Sequence, residues 1–160
     1  MNESLDRYCA RRGIHIVKRL GAGKDGTVFQ TSRVSAIKVH ERSESYFSER
    51  DVYIRLGERE IDEICGLSVP ILIEYNDELL ILEMTVVNPP YILDFASAWL
   101  DRPPDFSEEV LEEWHEQLRE NFGERFPDVM GLLEALGNDA GVYLLDIHTH
   151  NVKFEKDPIP

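Results

Sequence analysis

Glycines at positions 21, 23 and 26 stand in the run Gly21-Ala22-Gly23-Lys24-Asp25-Gly26-Thr27-Val28, a G-x-G-x-x-G-x-V pattern. Residues without a Cβ let backbone N–H groups come close to an anion, so the pattern suits a loop over phosphates; a plain hairpin would account for the same glycines. A dinucleotide fold requires a helix after the last glycine. Here TVFQTS and VSAIKVH follow, both strand-like, which places the glycines at a β-hairpin tip. Downstream, strand alternation puts Val34, Ala36 and Lys38 on one face, a small flat surface for a planar base with an ammonium beyond it. A lone strand lysine more often reaches out to water. Glu49 changes that expectation: it shares a helical face with Tyr46, Val52, Tyr53 and Leu56, and a carboxylate on a buried face requires a cation, for which Lys38 is at hand. Near the end of the chain, Asp146-Ile147-His148-Thr149-His150-Asn151 closes an apolar run. On one tight loop the carboxylate can orient a hydroxyl or water, and the carboxamide can meet a hard cation. Asx-turns alone would explain the loop less specifically. Two alternate histidines without a third nitrogen or sulfur ligand make a poor transition-metal site, so His148 is read as a brace for the loop.

The elements that must hold these residues are legible as patterns. Short β-like runs, IHIVKRL, TVFQTS, VSAIKVH, VPILIEYN and ELLILEMTVV, predict a five-stranded, largely antiparallel sheet with a turn at Asn76-Asp77. SESYFSERDVYIRLGE predicts one helix between the third and fourth strands, with Gly57 as its cap. After Asn88-Pro89-Pro90 the pattern reads as helical: YILDFASAWL, then a segment from about Ser107 with Leu111, Trp114, Leu118 and Phe122 on one face. A further helix from about Asp128 carries Val129, Leu132, Leu133 and Leu136 and stops at Gly137.

The 160 residues hold 17 Lys+Arg against 31 Asp+Glu, a formal charge of −14, which argues against a nucleic-acid or anionic-membrane partner. It mildly favours a neutral or basic acceptor. Cys9 and Cys65 are far apart and form no metal-ligand spacing, and no apolar run approaches the length of a membrane helix. The expected setting is cytoplasmic.

Taken in order, the three motifs resemble the protein kinase-like superfamily, including its small-molecule phosphotransferase branches. GAGKDGTV is similar to the glycine-rich loop, AIK to the lysine strand, Glu49 to the acidic partner on the next helix, and DIHTHN to a catalytic loop of the D-x-H-x-x-N form. The resemblance implies an α+β, two-lobed fold. Residues 1–87 would form an N-lobe with five strands and one helix, and residues 88–160 a reduced, mainly helical C-lobe. It further implies ATP and Mg as cofactors. Gly21, Gly23 and Gly26 would close over the phosphates, Lys38 would hold the α- and β-phosphates while paired to Glu49, and Val28 and Ala36 would cover the adenine. Leu82 would gate the back pocket, backbone groups of Glu83 and Thr85 would meet the base edge, Asp146 would accept the proton of the attacking hydroxyl, and Asn151 would ligate magnesium. Two departures stand out. Leu144 and Leu145 replace the His-Arg of many protein kinases, and residues 152–160 hold no Asp-Phe-Gly or activation segment, leaving Asp157 as the acid for a second metal contact. Two functions follow from the resemblance: a minimal phosphotransferase acting on a hydroxyl, or a pseudokinase that binds nucleotide or protein without turnover. In the second, the apolar face with Trp114 and Phe122 would await a partner chain or a homodimer.

Overall fold

The computed structural model of the protein describes residues 3–154. An opening helix α1 (Glu3–Arg12) precedes strands β1 (Ile16–Gly23), β2 (Gly26–Thr31) and β3 (Ser35–His40). Helix α2 (Ser43–Glu58) follows, then the two-residue strands β4 (Glu63–Ile64) and β5 (Leu67–Ser68), and strands β6 (Leu72–Asn76) and β7 (Ile81–Thr85). The second half holds β8 (Tyr91–Ile92), β9 (Trp99–Leu100), α3 (Glu108–Phe122), α4 (Phe126–Ala135), β10 (Val142–Tyr143) and β11 (Val152–Lys153). The fold is α+β, and its largest sheet has five antiparallel strands in the order β1-β2-β3-β7-β6. Among the described residues no helix is long and apolar enough to cross a membrane.

Strand alternation sends the two faces of this sheet into two cores. Ile37, Val39, Leu79 and Ile81 pack with Leu5, Tyr8, Cys9 and Ile14 of the N-terminal segment, whereas Ala36, Leu82 and Met84 join the larger core with α2 and the helices. The α1 face also buries Glu83, 1% exposed. Its carboxylate accepts from Tyr8 Oη (2.9 Å), Arg12 Nε (3.0 Å) and Ser35 Oγ (2.6 Å). Burial opposes the charge, but those three donors outweigh it and hold the Glu83 carboxyl below its ordinary value.

Several sequence expectations are corrected. Val34 is not on the β3 face: it is 67% exposed in a turn with φ 59°, where Thr31 Oγ1 accepts from the N–H groups of Arg33 and Ser35. YILDFASAWL is not helical but forms β8 and β9 around a turn at Asp94, φ 67°, a left-handed conformation that aspartate tolerates and a helix does not. The strand partners come from far along the chain: β11 for β8 and β10 for β9. Helix α2 passes through Gly57 and is capped at Arg59. The last helix likewise continues through Gly137 as a wide turn over Leu136–Ala140 and stops at Gly141, φ 66°. A separate four-stranded sheet, in the order β11-β8-β5-β4, joins Glu63–Ser68 to Tyr91–Ile92 and Val152–Lys153. On the aromatic face, Phe122 lies edge-on to Phe154 at 6.4 Å, and the half-buried Trp114 donates from Nε1 to the carbonyl of Leu145 at 2.9 Å.

Candidate functional site

Registers across the sheet assemble one face around a lysine. Lys38 stands opposite Val28 on β2 and Leu82 on β7, and Ala36 opposite Gln30 and Met84. The row Val28-Lys38-Leu82 and its neighbour Ala36-Met84 therefore share a face, with the ammonium among apolar side chains. Helix α2 lays Tyr46, Val52, Tyr53 and Leu56 on that face and brings Glu49 with them, 1% exposed.

Lys38 Nζ donates to Glu49 Oε2 at 2.6 Å, with the lysine side chain 8% exposed. The same oxygen meets His40 Nε2 at 2.7 Å, so one buried carboxylate holds two side chains of β3. Lys38 also reaches Asp94 Oδ1 at 2.9 Å. Burial works against the ammonium, yet Glu49 and Asp94 more than offset it and raise the Lys38 pKa. The Asp94 carboxyl likewise pays for burial but is held below its ordinary value, chiefly by Lys38, with help from the Ala96 N–H and His148. Both groups stay charged at neutral pH.

Asp94 lies outside the sequence-derived set. Its segment read as a helix, and the clue available was an aspartate followed by Phe95 after the strand-like Tyr91-Ile92-Leu93. The pairing of β8 with β11 places it beside the loop at 146–151, where the Leu93 N–H donates to the Asn151 carbonyl at 2.7 Å. That loop is held from within. Asn151 Nδ2 donates to the Asp146 carbonyl (2.8 Å), Asn151 Oδ1 accepts from the His148 N–H (2.9 Å), and His148 Nδ1 accepts from the His150 N–H (3.2 Å). His148 braces the loop as expected, and no metal-holding group of three or more His, Cys, Asp or Glu side chains occurs among the described residues.

The glycines differ in what the fold asks of them. A Cβ on Gly26 would lie 2.1 Å from the Val39 carbonyl oxygen, so packing against β3 excludes any side chain there. Cβ atoms on Gly21 and Gly23 would meet nothing within 4 Å. Those two positions border open space, where an approaching ligand gains from their bareness. Between Gly23 and Gly26, Asp25 is tied to Arg42 just before α2 (2.7 Å), and Lys24 Nζ crosses to Asp146 Oδ2 (2.9 Å).

Glu83 and Thr85 are placed differently from expectation. β7 lies inside the sheet between β3 and β6, so the Glu83 backbone faces neighbouring strands. The Thr85 N–H already donates to Ile71 O at 2.9 Å, and its hydroxyl accepts from the Ile71 N–H. The first backbone beyond the ladder is at Val86. Asp157 lies outside the described residues.

The class the fold defines is thus an α+β protein in which the main sheet, α2 and the turn after β8 hold an ion-paired lysine. No family model and no curated protein matches the sequence. Among solved structures, the chain is similar to the ternary complex of APH(2″)-IIa with streptomycin and ATP. The two are 14% identical with a TM-score of 0.47, and the match covers 94% of this chain and 42% of that one, so this chain spans under half of its length.

Proposed function

We propose that the cleft binds ATP with magnesium and transfers the γ-phosphoryl group to a hydroxyl, as the resemblance to the protein kinase-like superfamily implies. The observation that carries this reading is Lys38 held between Glu49 and Asp94 on the face below the glycine hairpin, with Asp146 linked to the hairpin tip. Val28, Ala36, Leu82 and Met84 offer the base an apolar surface, and backbone from Val86 onward meets its edge. Gly21 and Gly23 let the hairpin approach the phosphates, and Lys38, kept charged and aimed by Glu49, takes the α- and β-phosphate oxygens.

Magnesium fits the donors present. Asp94 uses Oδ1 for Lys38 and the Ala96 N–H, which leaves Oδ2 for a hard cation, and the Asn151 carboxamide oxygen retains a lone pair beside its bond to His148. Asp94 therefore replaces Asp157 as the acidic metal contact in this reading. The cation, when bound, neutralises phosphate charge. In the transfer itself, the acceptor oxygen bonds to the γ-phosphorus as the bond from that phosphorus to the β–γ bridging oxygen breaks. Asp146 takes the hydroxyl proton, and the products are ADP and a phosphate ester.

Thermal melting with ATP-Mg tests the binding half of this reading. At one hundred times Kd the wild-type transition rises by about 5–10 °C, because ligand binding to the folded state alone adds about 2.7 kcal/mol. Lys38→Met abolishes the rise. An unchanged wild-type transition at millimolar nucleotide contradicts the reading.

A further inference from the structure

The hairpin tip presents two side chains with separate attachments. Asp25 is 8% exposed and anchored to Arg42 at 2.7 Å, and its carbonyl accepts from the Glu41 N–H. Gly26, one residue on, is packed against the β3 backbone. The base of the tip is therefore fixed, and Lys24 alone projects from it across the cleft to Asp146. Their side chains are 67% and 44% exposed, and an ion pair so open to water is weak and separates readily. Yet it joins the two groups between which a transferred phosphoryl would lie.

Charge defines what this lysine can do. The cleft carries the ammonium groups of Lys24 and Lys38 against the carboxylates of Glu49, Asp94 and Asp146. Lys38 is already engaged by two of those carboxylates. A polyphosphate that enters with its magnesium still has terminal oxygens free to accept from an ammonium within reach, and a chain of net charge −14 offers it few other cations. A terminal phosphate monoester carries about −1.5 to −2, which outbids a single carboxylate for an ammonium within reach.

We propose that Lys24 is a movable ligand of the terminal phosphate of a nucleoside triphosphate. Its bond in the structure ties the hairpin tip to Asp146. On triphosphate binding it passes to the γ-phosphoryl oxygens, which strengthens ATP over ADP and releases Asp146 to receive the acceptor hydroxyl. Lys24 is then a catalytic residue, since it touches the transferred group, and its exchange couples nucleotide arrival to exposure of the proton acceptor. This inference rests on the nucleotide reading of the cleft.

The test compares ATP-Mg and ADP-Mg affinities of the full chain by calorimetric titration. Wild type binds ATP about tenfold tighter than ADP, the size expected of one charge-assisted contact. Lys24→Met brings the ratio near one and leaves ADP affinity within twofold, and Lys24→Arg keeps the preference. Asp146→Asn widens the ratio, because the competing carboxylate charge is gone. A ratio unchanged in Lys24→Met, or a parallel loss of ATP and ADP affinity, overturns the role given to Lys24. Wild-type protein that binds neither nucleotide overturns the cleft reading itself, and ADP binding in the variants reports that they are folded.

Discussion

Replacing Glu49 with Ala lowers the unfolding free energy by about 2–4 kcal/mol, with Lys38 and His40 as the reasons. The Glu49 carboxylate is 1% exposed and accepts from Lys38 Nζ at 2.6 Å, while His40 Nε2 lies 2.7 Å from the same oxygen. Without it a buried ammonium keeps only Asp94, and His40 loses its hydrogen-bond partner. Nδ1 of that ring already lacks one among the described residues, so the variant would bury an imidazole with neither nitrogen satisfied. Glu49→Gln, which keeps an acceptor and removes the charge, costs about half as much. Urea unfolding of the two variants measures both effects. A loss under about 0.5 kcal/mol for the Ala variant would mean that the pair behaves like a solvated surface bridge, contrary to its burial.

A second large effect is expected at Asp146. Asp146→Asn lowers ADP release from ATP-Mg by about 10²–10⁴, the usual contribution of a positioned proton acceptor, while the ATP-dependent rise in melting temperature persists. The split arises because the groups read as contacting the base and the α- and β-phosphates sit on the sheet, α2 and the segment after β7, whereas Asp146, on the loop between β10 and β11, is read as meeting only the acceptor hydroxyl. The substitution also preserves the loop: Asn151 Nδ2 bonds the backbone carbonyl of residue 146, not its side chain. Release of ADP measured with a coupled assay, with and without a hydroxyl acceptor, reads the effect. Equal rates in wild type and variant would leave a cleft that binds nucleotide without using Asp146 as proton acceptor.

Features carried by local pattern were legible in the sequence. The glycine hairpin, the β3 lysine, the inward face of α2 and the Asp146–Asn151 loop each rest on spacings of a few residues, and the Lys38–Glu49 pair follows from two such patterns together with the cost of burying a charge. Features set by distant partners were not. Asp94 reaches Lys38 because β8 pairs with β11 about sixty residues later in the chain, and two-residue strands leave almost no alternation to read. Helix α1 is only ten residues long, and although its buried Leu5, Tyr8 and Cys9 stand at i, i+3 and i+4, three positions make a short pattern among so many charges. The acid it helps cover, Glu83, looks like an ordinary strand residue until Tyr8, Arg12 and Ser35 are placed around it. The backbone of Glu83 and Thr85 was no easier to place, since only the sheet order reveals that β7 has a neighbour on both sides.

The most direct test of the nucleotide cleft uses an acyl phosphate of ATP, which hands its acyl group to a lysine amine lying beside the bound phosphates. Peptide mapping by mass spectrometry is expected to find the new amide on Lys38 and, at the hairpin tip, on Lys24, with labelling at both suppressed by excess ATP-Mg. Labelling confined to lysines outside the cleft, such as Lys18 and Lys153, and indifferent to ATP-Mg would contradict the account.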